Sequence, residues 1–139
     1  MRRGFLTVVA LAALSGCGVA TTPVPSAESA RGALQTALDA WKAGKTPSAF
    51  AQEASKPAVQ AVDHEWSSGL GLDAYVIGSE TAADGNKTFA VTLTLKGAKG
   101  PKDVRYMVFG TDPVHVYRDD DYARMANMEN NPAPPKKRR

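Results

Sequence analysis

Lys87-Thr88-Phe89-Ala90-Val91-Thr92-Leu93-Thr94-Leu95-Lys96 decides the fold of this chain. Phe89, Val91, Leu93 and Leu95 fall on one side of an extended backbone, and Thr88, Ala90, Thr92, Thr94 and Lys96 on the other, because successive strand side chains point to opposite faces. A strand with one apolar face belongs to a sheet that is covered on that face. Working outward, Leu72 to Ser79 reads as a strand with Tyr75 and Ile77 on one face, and Asp84-Gly85-Asn86 turns it into the central strand. Gly97 to Pro101 turns the chain again into Val104 to Phe109, and Thr111-Asp112-Pro113 into Val114 to Tyr117. Four hairpin-linked strands make an antiparallel meander. Ala58 to Val62 offers a short fifth, whose two faces are too alike to orient it.

The cover comes from upstream. Ser26 is placed to cap a helix, with Glu28 in its first turn against the positive end of the helix dipole. Ala30, Ala33, Leu34, Ala37, Leu38 and Trp41 then recur at the spacing of one helix face, and Lys42 and Gly44 close it. This predicts a helix over Ala27 to Ala43 whose alanine-rich stripe lies close on the sheet. A shorter helix is expected from Pro47 to about Glu53, since proline suits a first helical turn. The fold class is therefore α+β: an N-terminal helix packed on an antiparallel sheet of four to five strands, in one domain over residues 26–129.

The first twenty residues have a different character. Arg2 and Arg3 precede an apolar run from Phe5 to Leu14, half the length of about 20 apolar residues that a bilayer-spanning helix needs. Small residues, Ser15 and Gly16, lead to Cys17, the only cysteine of the chain. Leu14-Ser15-Gly16-Cys17 resembles the lipobox of bacterial lipoprotein precursors. The resemblance implies a signal peptide over 1–16, cleavage before Cys17, and acylation of its sulfur and new amino group, so that the membrane is a partner through lipid on Cys17. Two acyl chains suffice for stable anchoring at about 0.8 kcal/mol per buried methylene. Gly18, in place of the aspartate that retains many such proteins at the inner membrane, favours the outer membrane where two are present. Residues 17–25 then form a lipidated tether, and with its only thiol modified the exported domain has no disulfide and holds by packing.

Charge follows the same division. The formal charge of +3 falls to +1 without Arg2 and Arg3, and to −3 without Lys136-Lys137-Arg138-Arg139. The isoelectric point near 9.1 thus reflects the leader and the tail, and no nucleic-acid partner is expected. Asn130 to Arg139 is rich in proline and base and reads as an extended, disordered tail that is able to reach anionic lipid or cell-wall polymers. Asp119 to Met125 before it is polar, with room for one helical turn.

A second resemblance rests on Ala37 to Gly44, Asp63-His64-Glu65-Trp66 and Gly110-Thr111-Asp112-Pro113, which are similar to stretches of short, uncharacterised bacterial lipoproteins. The order of a helix and then antiparallel strands is also similar to cystatin-like and nuclear-transport-factor-2-like folds. These host enzymes and scaffolds alike, so function must be argued from residues.

Candidate chemistry is sparse. Asp63-His64-Glu65 gathers three titratable groups, but neighbours in an extended segment diverge, and a surface turn is expected. Asp119-Asp120-Asp121 lacks the glycine and the distant glutamate of a calcium loop and reads as a solvated acidic cap. No zinc spacing, phosphate loop or serine elbow occurs, so neither a metal nor a cofactor is expected. Trp41 completes the helix stripe, while Trp66 in a turn is either core or a contact residue. The reading is a lipid-anchored envelope protein, exported and non-catalytic, whose partner is another envelope protein or the cell wall. Its expected binding surface is the sheet face opposite Phe89, comprising Arg105, Met107, Phe109, His115 and Tyr117, with Trp66. The alternative is a small enzyme with a pocket between helix and sheet that uses His115 or an aspartate as base.

Overall fold

A computed structural model describes residues 23–130. The leader over 1–16, Cys17 and its lipobox, the tether up to residue 22 and the tail from residue 131 lie outside the described residues. The elements are α1 (Ala27–Lys42), α2 (Pro47–Ala51), β1 (Val59–Val62), α3 (His64–Ser67), β2 (Leu72–Ala83), β3 (Asn86–Leu95), β4 (Lys102–Phe109), β5 (Val114–Arg118) and α4 (Asp119–Asn130). The domain is α+β, with its N-terminal helix packed on a five-stranded sheet.

The sheet order is β1-β5-β4-β3-β2. Strands β2 to β5 form the expected antiparallel meander. The fifth strand departs from the expectation of a wholly antiparallel sheet: β1 adds to the edge parallel to β5, with Val59 level with Val114 and Val62 level with Tyr117. Its direction is set by the chain's return from α1, which delivers Ala58 beside the start of β5, where the Ala58 carbonyl accepts from the Val114 N–H.

Alternation works as read. Phe89, Val91, Leu93 and Leu95 of β3 are buried, as are Val104, Tyr106 and Val108 of β4 and Val114 and Val116 of β5. This is the inner face, and α1 covers it with Ala30, Ala33, Leu34, Ala37, Leu38, Ala40 and Trp41. The Ser26 hydroxyl accepts from the Ser29 N–H at 3.1 Å and so starts the helix. Gly44 at φ 82° provides the left-handed turn that ends it. At roughly 25 cal/mol per Å² of apolar surface removed from water, this closed layer is the main source of the domain's stability. The rim of α1 is tied to β2 by polar bonds: Arg31 donates to the Ile77 carbonyl at 3.2 Å, and the Tyr75 hydroxyl donates to Asp39 Oδ1 at 2.5 Å. Burial, reinforced by the Asp39 carboxylate, pushes the Tyr75 hydroxyl up to about 12.

Three segments differ from expectation. Strand β2 runs four residues past Ser79, because Glu80–Ala83 pairs with the start of β3 although its side chains are exposed. The Asp63-His64-Glu65 segment is no surface turn: Asp63 is 3 % exposed and caps the single-turn helix α3, with Oδ1 accepting from the Trp66 N–H at 3.0 Å. The acidic stretch expected to hold one turn is the start of the twelve-residue helix α4.

Candidate binding surface

The outer face of the sheet is built by the residues that alternate with the core. In β4 these are Arg105, Met107 and Phe109, and in β5 His115 and Tyr117. The β4–β5 register places Met107 opposite Tyr117 and Phe109 opposite His115, so the five expected surface residues do share one face. The rings form a cluster. Phe109 stacks on His115 with centroids 5.0 Å apart at 18°, and Tyr117 lies 5.3 Å from Phe109 and 6.1 Å from His115. Such pairs contribute about 0.5–1.5 kcal/mol each beyond the area they bury. Met107, Phe109, His115 and Tyr117 all remain half-buried.

The turn before β5 holds one side of this cluster. Gly110 has φ 77°, and a Cβ there would stand 2.7 Å from the Pro113 carbonyl oxygen and 3.3 Å from His115 Cδ2. Only glycine lets the backbone turn this close under the imidazole. His115 Nδ1 is buried and has no hydrogen-bond partner among the described residues.

A ring that the sequence reading did not include completes the cluster. Tyr122 of α4 meets Phe109 and Tyr117 edge-on, each at 6.3 Å, while staying 41 % exposed. Met125, one turn further, is 45 % exposed. The outer face is therefore partly roofed, and its apolar surface continues onto the helix. Arg105 marks the other border: its side chain is 68 % exposed and pairs with Asp119 at 2.8 Å. It lines a shallow cleft of about 230 Å³ with Ala90, Asp103, Asp119 and Asp120.

Trp66 does not belong to this surface. It is 4 % exposed on the opposite side of the sheet, stacked on Trp41 at 5.9 Å and tilted on Phe50 at 5.5 Å, and its indole N–H donates to the Lys45 carbonyl at 2.7 Å. Capping by Asp63 turns the chain so that the indole points inward, which corrects the expectation of a contact residue there.

No family model matches this chain, and no curated protein matches it. What the surface can do is therefore read from its own chemistry.

A buried polar network clamps the roof to the sheet. Arg118 ends β5 on the inner side, 4 % exposed, with Nη1 2.5 Å from Glu65 Oε2 and 3.7 Å from Asp63 Oδ2. The Tyr106 hydroxyl donates to Asp63 Oδ2 at 2.5 Å, and Lys102 pairs with Glu65 at 2.7 Å. Asp121, 7 % exposed, accepts from the His64 backbone N–H at 2.8 Å and faces Arg124 at 3.3 Å. The acidic triplet is a solvated cap only at Asp120, whose side chain is 69 % exposed and 3.8 Å from Arg118, whereas Asp119 pairs with Arg105 and Asp121 is buried. Burial opposes the charge on Glu65, but hydrogen bonds and charges from Lys102 and Arg118 outweigh it and hold its carboxyl below the ordinary value. Burial also opposes the charge on Arg118, and Glu65 and Asp63 more than restore it. Burial, with the Asp63 carboxylate beside it, pushes the Tyr106 hydroxyl well above its ordinary value.

A cleft of about 550 Å³ lies elsewhere, between α1 and the segment entering β1, and is lined by Ser29, Gly32, Thr36, Lys56 and Pro57 among others. None of His64, Asp73, Arg105 and His115 lines it.

Proposed function

We propose that this chain is a lipid-anchored envelope protein, exported and acylated at Cys17, whose domain is a non-catalytic module binding another envelope component through the outer sheet face. The observation that carries the binding part is the half-exposed ring cluster of Phe109, His115, Tyr117 and Tyr122, continuous with exposed Met125. Clustered aromatic rings with a methionine and an arginine at the border are the composition of a contact surface, where large rigid side chains give most of the affinity.

Two further observations favour binding over an enzyme with a pocket between helix and sheet. That interface is filled where α1 meets β3, β4 and β5: the apolar stripe of α1 and the inner residues of these strands are no more than 9 % exposed. His115, the base of the enzyme reading, stands on the opposite face, and the inner-side carboxylate Asp63 has both oxygens engaged, by Trp66 and Tyr106. The anchoring part rests on the Leu14-Ser15-Gly16-Cys17 motif behind Arg2, Arg3 and a short apolar run.

Photo-crosslinking residues placed at Met107 and Tyr117, and at Thr36 on the far side of α1, test the surface in cells. The expected result is one common adduct from Met107 and Tyr117, lost with Phe109→Ala and absent from Thr36. Adducts that form from Thr36 alone, or survive Phe109→Ala, would contradict it. Intact-mass analysis of the purified protein checks the anchor separately, with acyl mass expected on Cys17.

A further inference from the structure

The cleft of about 550 Å³ lies along the flank of α1 that faces away from β2. Arg31 ties one flank of the helix to the Ile77 carbonyl of β2, and at about 100° per residue Ser29 and Thr36 stand on the other. Ser55 and Lys56 make the facing wall, while Ala33 and Val59, both buried, make the floor. From Ser29 to Thr36 the helix wall runs about 10 Å at 1.5 Å per residue, room for two or three residues of extended chain.

Gly32, between those two, does not serve the fold. Glycine inside a helix is less stable than alanine because it loses more backbone freedom on folding. At Gly44 and Gly110 a positive φ requires it, but Gly32 has an ordinary helical φ. Packing does not require it either: a Cβ on Gly32 would meet no atom of the described residues within 4 Å beyond its own stretch of helix. What the missing Cβ provides is depth in the cleft.

The polar groups around Gly32 are left over in the same way. Among the described residues Glu28 and Lys56, opposite in charge, have no ion pair, and the hydroxyls of Ser29 and Ser55 have no hydrogen-bond partner. The Thr36 hydroxyl donates to the Gly32 carbonyl at 2.8 Å and keeps its acceptor side open. A ligand that suits this set carries one charge of each sign, amide donors and acceptors between them, and little bulk over Gly32. An acyl chain would cover the hydroxyls of both walls without giving them partners. A sugar ring would find no aromatic face among the lining residues.

We propose that this cleft is a second binding site, for a dipeptide or tripeptide of small residues with free ends, whose ammonium group is met by Glu28, whose carboxylate is met by Lys56 and whose backbone passes over Gly32. The site is separate from the outer sheet face and depends on neither that reading nor the anchor.

The test titrates trialanine with free termini into the isotope-labelled full-length protein in detergent and follows backbone amide shifts. Saturable shifts are expected at residues 29–36 and 55–59, with Phe109, His115 and Tyr117 unmoved. Acetylated and amidated trialanine should bind about tenfold more weakly, and Glu28→Gln or Lys56→Gln should each weaken the free peptide by about two- to fivefold, the range for exposed ion pairs. Gly32→Leu should abolish binding by filling the cleft. Gly32→Ala should weaken binding while raising the thermal midpoint of unfolding, which separates loss of the site from loss of the fold. Shifts that are absent or do not saturate overturn the proposal, as does equal binding of the blocked peptide or full binding by Gly32→Leu. Hexanoate or N-acetylglucosamine shifting the same amides more strongly than trialanine overturns it too, by naming a different occupant.

Discussion

Helices α1 and α4 pack on opposite faces of one sheet and are held by opposite physics. From α1, seven side chains are buried, all of them apolar, in one core cluster with Phe89, Leu93, Val108 and Val116. From α4 the buried side chain among the described residues is Asp121, and the helix is tied down by charges and hydrogen bonds to Arg105, Arg118 and the His64 N–H, with Tyr122 laid on the ring cluster. Apolar burial is not weakened by charge screening, whereas paired charges weaken with salt and with pH. One side of this domain is built to stay shut, and the other to be held lightly over a surface.

Breaking the closed side has the largest expected effect. Phe89 is completely buried. Phe89→Ala should lower the unfolding free energy by about 3–5 kcal/mol, seen as an earlier denaturation midpoint for the whole domain. Arg118→Ala comes next, because it leaves Asp63 and Glu65 buried without their cation. A loss of about 3–4 kcal/mol is expected, with Arg118→Met retaining more of the packing but not the charge. If Arg118→Met is instead as stable as wild type, the residue contributes only through the arginine stem.

Asp121→Ala sharpens the contrast. It strands the His64 N–H and frees the start of α4, at a cost of about 1–3 kcal/mol. Protection of α4 amides should fall by more than that of α1, because the helix opens locally as well as with the whole domain. Acid gives the smallest effect. The carboxyl of Glu65 is held below its ordinary value in the folded state, so its contribution is in place above the ordinary carboxylate range and is lost as pH falls through the lowered value. The stability difference between wild type and Glu65→Gln should therefore close on acidification below about pH 4. A difference that widens there would reverse the sign of the coupling.

The same contrast explains what the sequence could reveal. The closed side was legible because its signals are local and periodic: alternation from Phe89 to Leu95, the stripe from Ala30 to Trp41, and the Ser26 cap. The outer face was legible as their complement, since residues that alternate with a core share the other side. Three things were not. The parallel pairing of β1 depends on where α1 returns the chain, which no short pattern encodes. Trp66 is buried by Asp63 capping and by Trp41, 25 residues away, and nothing in its neighbourhood marks that partner. Helix α4 has no strong apolar stripe, and its place is set by Arg105 and Arg118 from strands read for their apolar residues. Its one local clue was Tyr122, an aromatic ring directly after three aspartates.

Segment-resolved hydrogen exchange at low and high salt tests the two-sided account most directly. Amides of α1 should exchange only with global unfolding, whereas those of α4 should exchange faster than α1 at low salt, with a gap that widens at high salt. Equal protection of α1 and α4, unchanged by salt, would contradict it.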